Sequence, residues 1–261
     1  VMFAENVPFY GYMMINGDDK NIKKISERIS RTQITFGKSR NCNYQIKNIN
    51  PVRGKQDFEI FDRKNKKIHK FKINLPGKHN VFNAAASIGV AMEEGIPISY
   101  IKKGISAFSG VGRRYEKHKI IIKSKEIILI DDYGHHPIEI ESNINAYKEE
   151  YPKKKVCMIF QPHRFSRTAQ LFDDFIKVLA KADSLILLDI YSASEKPIRG
   201  INSRTIVETI KQKGHKDVTY VKNHDDVINL INDKKDYFDI VVTQGAGSVS
   251  KVCESIKHKW K

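Results

Sequence analysis

Hydrophobic and polar positions change rhythm twice along this chain. Phe9–Ile15 is a compact apolar, aromatic-rich run ended by Asn16-Gly17-Asp18-Asp19. That predicts a buried strand, a turn and a helix start. Ile22, Ile25 and Ile29 then recur at helical spacing, and Gln33–Phe36 predicts a second strand. From Asn43 to Leu75 the segments are short and alternating (44–49, 58–61 and 68–75), and Pro51, Gly54 and polar clusters separate them. This pattern predicts a small antiparallel sheet. Residues 80–94 form an Ala-rich helical stretch that stops at Gly95, and Ser99 caps a further helix running to about Phe108.

Ser109-Gly110-Val111-Gly112 marks a junction, and the domain boundary is placed there, giving residues 1–112 and 113–261. Beyond it, aliphatic runs at 126–130, 156–160, 185–188, 218–221 and 240–243 alternate with helical stretches at 138–148, 168–179, 203–212 and 225–231. Near-continuous apolar strands with helical crossovers predict an α/β, Rossmann-like domain with a mainly parallel sheet. Such folds collect ligands at the carboxyl ends of their strands.

Composition narrows the class. A length of 261 residues favours two domains, and 40% hydrophobic residues support real cores. No apolar run approaches the roughly 20 residues that span a bilayer. Residues 1–6 lack the features of a signal peptide. Cys42, Cys157 and Cys253 are dispersed and odd in number, which suits a reducing cytoplasm and neither a disulfide framework nor a zinc site. The net charge of +16 would fit a nucleic-acid binder. The lysines are spread along the whole chain, however, and runs such as 63–67 and 153–155 sit beside turn signals. They are read as solvated faces that attract nucleotides and anionic sugars, with no nucleic-acid or membrane partner.

Three polar clusters follow predicted strands: 131–137 (Asp-Asp-Tyr-Gly-His-His-Pro), 161–168 (Gln-Pro-His-Arg-Phe-Ser-Arg-Thr) and 244–248 (Gln-Gly-Ala-Gly-Ser). Arg164 and Arg167, three apart at a helix start, offer two fork-shaped donors to a carboxylate or phosphate. The alternative is a pair of solvated arginines. His135 and His136 beside Asp131 and Asp132 do not make a metal site, because adjacent side chains diverge and no third ligand cluster follows. Gly37-Lys38-Ser39 resembles the end of a phosphate-binding loop, but position 32 is Thr where that loop needs Gly. Asn80 and Asn83, three apart, could read a purine edge, or Asn80 could simply cap its helix.

His79-Asn80-x-x-Asn83, Gly112-Arg113-Arg114, 131–137, 161–168 and 244–247, in this order, resemble the Mur ligase family, as does the Asn16-Gly17-Asp18-Asp19 turn. The resemblance runs from about Val7 to the C-terminus. It implies an ATP-dependent ligase with Mg2+ that joins L-alanine to UDP-N-acetylmuramate through an acyl phosphate in peptidoglycan precursor synthesis. It further implies that Asn80 and Asn83 contact adenine, Asp132 the ribose and Arg114 the ATP phosphates. Tyr133, His135, Arg164 and Arg167 would line the amino-acid and muramate side, with Arg114 and His135 acting catalytically. Residues 1–112 would be the C-terminal portion of the central ATP-binding domain, incomplete here, and 113–261 the C-terminal Rossmann-like domain. The UDP-binding domain, the P-loop and the magnesium ligands would lie in an N-terminal part outside this sequence, so the isolated chain is expected to be inactive. Ser248 and Ser250 stand where the family often has Asn and Gly. A non-catalytic nucleotide- or precursor-binding remnant, or a related ligase adding another amino acid or peptide, remain as alternatives.

Overall fold

Two sheets form, one in each half of the chain, and residues 1–109 and 110–261 are separate structural units. The computed structural model describes residues 2–52 and 54–260, with Phe3 described in its backbone alone. Val1, Arg53 and Lys261 lie outside that description.

The first unit contains α1 (Met2–Glu5), β1 (Tyr12–Asn16), α2 (Lys20–Ser26), β2 (Thr32–Gly37), β3 (Tyr44–Val52), β4 (Lys55–Asp62), β5 (Lys67–Ile73), α3 (Lys78–Glu93) and α4 (Ile98–Ala107). Its five strands lie in chain order in one sheet. β1, β2 and β3 run parallel, and β3, β4 and β5 are antiparallel. The antiparallel part expected from the alternating segments is therefore continuous with the parallel strands. β1 starts later than its apolar run suggests, because the Gly11 amide donates to the Pro8 carbonyl at 2.9 Å and bends the chain. Phe9 and Tyr10 are left 87% and 80% exposed. Helix α3 packs Val81, Ala84, Ala85 and Ile88 against Phe58, Ile60 and Phe71. Its alanines permit the helix to lie close on the sheet.

Asp18 and Asp19 divide the labour at the β1–α2 turn. The Asp19 carboxylate caps α2, accepting from the Asn21 and Ile22 amides at 2.8 and 2.9 Å. The Asp18 carboxylate accepts from the Lys38 amide at 2.6 Å, the Ser39 amide at 2.9 Å and the Ser39 hydroxyl at 2.5 Å. Gly37-Lys38-Ser39 thus forms a turn around a carboxylate. Burial pushes the Asp18 pKa up, but these hydrogen bonds together outweigh it and hold it below the ordinary 3.8. A carboxylate with a depressed folded pKa contributes stability above its unfolded pKa and loses it as the pH falls through the folded value. Asp18→Asn should therefore destabilise the first unit by about 1–2 kcal/mol at neutral pH. Urea titrations should show the difference from the parent closing below pH 3.8; a pH-independent difference would mean that the charge is immaterial.

The second unit contains β6 (Glu116–Ile122), β7 (Lys125–Asp132), α5 (Pro137–Glu150), β8 (Val156–Phe160), α6 (Phe165–Gln170), α7 (Phe172–Leu179), β9 (Ser184–Leu187), α8 (Ser203–Gln212), β10 (Val218–Tyr220), α9 (His224–Lys234), β11 (Ile240–Gln244) and α10 (Val249–Lys259). The sheet order is β10-β9-β8-β11-β7-β6, parallel except for β6. One face buries Ile140, Ile144, Phe175 and Ile206, and the other buries Val227, Ile231, Val252 and Ile256. The α/β reading with a mainly parallel, doubly covered sheet holds. β6 was not anticipated. It joins β7 through Lys123 and Ser124, both at positive φ (45° and 71°), a two-residue hairpin without the Asn-Gly signal that usually betrays one. The helix expected over 168–179 begins earlier and breaks at Leu171 into α6 and α7.

Candidate active site

The three polar clusters of the second unit meet at the carboxyl ends of β7, β8 and β11. Gln244 is in register with Asp132 on one side and Phe160 on the other, which brings Asp131–Asp132, Gln161 and Gln244–Gly245 side by side. The two aspartates are buried and bound internally. Asp131 accepts from Arg113 Nε at 3.0 Å and from the Thr243 hydroxyl at 2.9 Å. Asp132 accepts from the Tyr115 and Gly134 amides at 2.8 and 2.7 Å, and from Gln244 Nε2 at 3.4 Å. Burial raises the Asp132 pKa against the pull of these donors. Arg113 also donates to the Gly245 carbonyl at 2.7 Å, clasping the junction segment to the ends of β7 and β11. Its neighbour Arg114 is exposed, its guanidinium 5.9 Å from the Tyr133 ring.

After β7 the chain turns sharply into α5. Pro137 occupies the first turn and His136 is the N-cap. Glu139 reaches back, and its Oε2 accepts from the His135 and His136 amides at 2.8 and 3.0 Å. Those amides, with the His135 ring nearby, outweigh burial and hold the Glu139 pKa below 4.5. The turn presents Tyr133, 38% exposed, and a half-buried His135, whose rings meet edge to face at 5.4 Å.

The β8 loop supplies the other wall. His163 pairs in a parallel bridge with Tyr191, and their rings stack at 5.4 Å. The His163 ring lies 5.4 Å from that of His135. Arg164 does not open the helix with Arg167 on a shared face, as the spacing suggests. It is the N-cap at φ 73°, held by its amide to the Tyr191 carbonyl at 2.8 Å. Arg164 is exposed, whereas Arg167 is half-buried and donates from one NH1 to His163 Nδ1 and the His163 carbonyl, both at 3.3 Å. Burial, then His135, Arg167 and Arg164, push the His163 pKa down. Glu195 accepts from the Ser166 amide and hydroxyl at 2.9 and 2.7 Å and fixes the start of α6.

In the first unit, Asn80 and Asn83 lie one turn apart on α3. Asn80 Nδ2 donates to the Pro76 carbonyl at 2.7 Å, while Asn83 is exposed. The amides thus stand on one helix face, but Asn80 does not cap the helix, whose N-cap is Gly77.

Residues 113–247 match the Mur ligase, glutamate ligase domain, and residues 1–91 match the Mur ligase middle domain. The chain belongs to the Mur ligase family. Its curated relatives include the UDP-N-acetylmuramate–L-alanine ligase of Vesicomyosocius okutanii, 40% identical over all of this chain and 56% of that protein. Another is the ligase of the same name from Psychrobacter sp., 37% identical over 98% of this chain and 54% of its own length. The chain therefore spans about half the length of these Mur ligases. Among solved structures it is similar in fold to the UDP-N-acetylmuramate–alanine ligase of Thermotoga maritima (TM-score 0.74, 23% identity, 99% of this chain and 61% of that one). The murein peptide ligase of Psychrobacter arcticus also matches (TM-score 0.71, 17% identity, 98% and 53%).

Three residues of the candidate site escaped the motif reading, Glu139, Tyr191 and Glu195, while His163 lay inside a recognised cluster without a role of its own. Glu139 had a readable signal, an acid three positions after the N-cap with Pro between, but His is an unusual cap. Tyr191 and Glu195 enter from a loop with no motif of its own.

Proposed function

We propose that this chain is the C-terminal part of an ATP-dependent ligase that joins L-alanine to UDP-N-acetylmuramate in peptidoglycan precursor synthesis, in the cytoplasm. The observation that carries the reading is its match, end to end, to two curated relatives bearing that name. The domain assignment follows the motifs: residues 1–112 as the C-terminal portion of the central domain and 113–261 as the C-terminal domain. The three cysteines are buried and free, and no helix among the described residues is long and apolar enough to cross a membrane.

Roles are assigned unit by unit. In the first, the Asn80 and Asn83 amides suit the donor–acceptor edge of adenine. In the second, Arg114 is an exposed fork suited to phosphate oxygens, and its catalytic task is to offset charge as the phosphoryl group moves. Asp132 is the ribose candidate. Both its oxygens hold internal donors, but the Gln244 bond is long and Gln244 Oε1 is buried without a partner among the described residues. A sugar hydroxyl at this spot could donate to that orphaned oxygen and accept from the amide. Tyr133, His135, Arg164 and Arg167 face the amino acid and the muramate, the arginines matched to carboxylate. Mg2+ would neutralise phosphate charge. Among the described residues no group of three or more His, Cys, Asp or Glu is placed to hold a metal ion, and no residue here is assigned to it.

The test is a graft of this chain behind the N-terminal part of the Vesicomyosocius relative. Phosphate release from ATP and Mg2+ should require both UDP-N-acetylmuramate and L-alanine, and the isolated chain should show no turnover because it lacks a P-loop lysine. Turnover with another amino acid in preference to alanine would refute the substrate assignment. Turnover by the isolated chain would refute its division of labour with an upstream part.

A further inference from the structure

Two arginines stand side by side at the start of the second unit, and their surroundings differ sharply. Arg113 is half-buried, with Nε donating to Asp131 Oδ2 at 3.0 Å and NH2 to the Gly245 carbonyl at 2.7 Å. Asp131 is buried and takes the Thr243 hydroxyl on its other oxygen at 2.9 Å, so the charge of Arg113 meets a fixed counter-charge. Arg114 is exposed. Both guanidiniums lie over the ring of Tyr133, at 5.4 and 5.9 Å from its centroid. Two cations on one ring repel each other, and the pairing of Arg113 with Asp131 offsets that repulsion.

The backbone here is wound against its preference. Arg113 and Tyr115 have φ of 58° and 55°, a region that non-glycine residues seldom enter. Groups at the strand ends hold both of them there. The Arg113 amide donates to Glu116 Oε2 at 2.9 Å, and the Arg113 carbonyl accepts from the Tyr133 amide at 2.6 Å. The Tyr115 amide donates to Asp132 Oδ2 at 2.8 Å. The backbone of Arg114 is thereby fixed from both sides, and its side chain is the part left to move.

We propose that Arg113 is a positioning residue for the ligase reaction: anchored on Asp131 and the Gly245 carbonyl, it sets the Tyr133 ring, and with it the direction in which Arg114 reaches the migrating phosphoryl group. This rests on the ligase reading above. An exposed arginine has many rotamers, and ordering it during the reaction costs entropy. A ring held in place beneath it meets part of that cost in advance. Arg113 does this without adding a second free cation to compete for the phosphate, because its own charge is already paired. Lysine at this position would keep a cation beside Asp131. It has no planar fork to span the carboxylate and the carbonyl, or to lie on a ring.

NMR of the isolated chain tests the positioning without recourse to activity. In Arg113→Lys the Tyr133 ring carbons and Arg114 Nε should move toward the shifts of unconstrained side chains, while far-ultraviolet circular dichroism stays that of the folded parent. Unchanged resonances at both residues would overturn the proposal. If Arg113→Lys does not fold, Arg113→Met combined with Asp131→Asn leaves no lone buried charge and is measured in its place. In the graft, Arg113→Lys should lower kcat by about 10-fold or more, the scale expected of a misplaced catalytic group, with little change in KM for ATP. Made in an Arg114→Met background, the same substitution should lower kcat by less than about twofold further, because its effect runs through Arg114. Equal factors in the two backgrounds would assign Arg113 a merely structural role and overturn the proposal. Shifted resonances with a parent graft that makes no product would overturn the ligase reading instead.

Discussion

Arg167→Ala, made in the graft, is expected to lower kcat/KM for L-alanine by one to two orders of magnitude. A charge-assisted hydrogen bond contributes about 1.5–3 kcal/mol, and that range sets the size of the loss. Among the described residues only NH1 of Arg167 is bonded, to His163, so the rest of the fork is available to an anion. The side chain is half-buried, which weakens the screening that makes exposed charges worth little. Arg167→Lys should rescue poorly, because an ammonium cannot span a carboxylate with two parallel bonds. Affinity for ATP should change little, since that task is proposed for Asn80, Asn83, Arg114 and Asp132. Isothermal titration with ATP and steady-state kinetics with alanine separate the two. Weakened ATP binding with normal alanine kinetics would reverse the assignment, and no change in either would return Arg167 to the solvent.

Gln161→Ala should be the most destabilising single polar truncation at the strand ends of the second unit. Helix α10 begins at Val249 with no side-chain cap from its own N-cap, Ser248. The missing acceptor comes from the loop that follows β8: Gln161 Oε1 takes the Val249 amide at 2.9 Å. Gln161 Nε2 in turn donates to the Ser248 hydroxyl at 3.1 Å and the Asp189 carbonyl at 3.3 Å. One buried amide thereby ties the ends of β8, β9 and β11 together. Gly247 must be glycine beside it, because a Cβ there would lie 2.5 Å from Gln161 Oε1 and 2.7 Å from Tyr191. Truncation strands a buried amide and opens a hole, at a cost of about 2–3 kcal/mol. For a unit of this size that lowers Tm by roughly 5–10 °C, readable by calorimetry on the isolated chain. Hydrogen exchange at the Val249 amide should accelerate in the variant. An unchanged Tm would show that Ser248 or solvent replaces the brace.

The fold was legible where burial is two-sided. The continuous apolar runs at 156–160 and 240–243 admit one reading, a strand covered on both faces, and both are fully buried. Where one face is wet the signal faded. In β6, Lys117-His118-Lys119 and Ile120-Ile121-Ile122 fall in two blocks and do not alternate, and its hairpin residues, Lys123 and Ser124, carry no turn signature. The candidate site was legible as clusters that follow strands, because an open parallel sheet gathers its strand ends. Which atoms pair within it was not. The spacing of Arg164 and Arg167 suggested a shared helix face, but a positive φ at Arg164 takes it out of the helix. Gln161 and Glu195 owe their places to hydrogen bonds across 88 and 29 residues of chain, which a local pattern does not encode.

The last strand of the second unit to leave the ribosome is a central one. β11 inserts between β8 and β7, so Thr243 comes to lie against Asp131, 112 residues before it in the chain. Until β11 emerges, β8 and β7 each present an open backbone edge, and both hydrophobic faces lack the strand that joins their halves. Loop closure over that distance must precede the contacts that reward it, so this unit assembles late and slowly. The strand that completes the sheet also delivers Gln244 and Gly245 to Asp132 and Arg113. Closure of the core and assembly of the strand-end site are accordingly one event in folding.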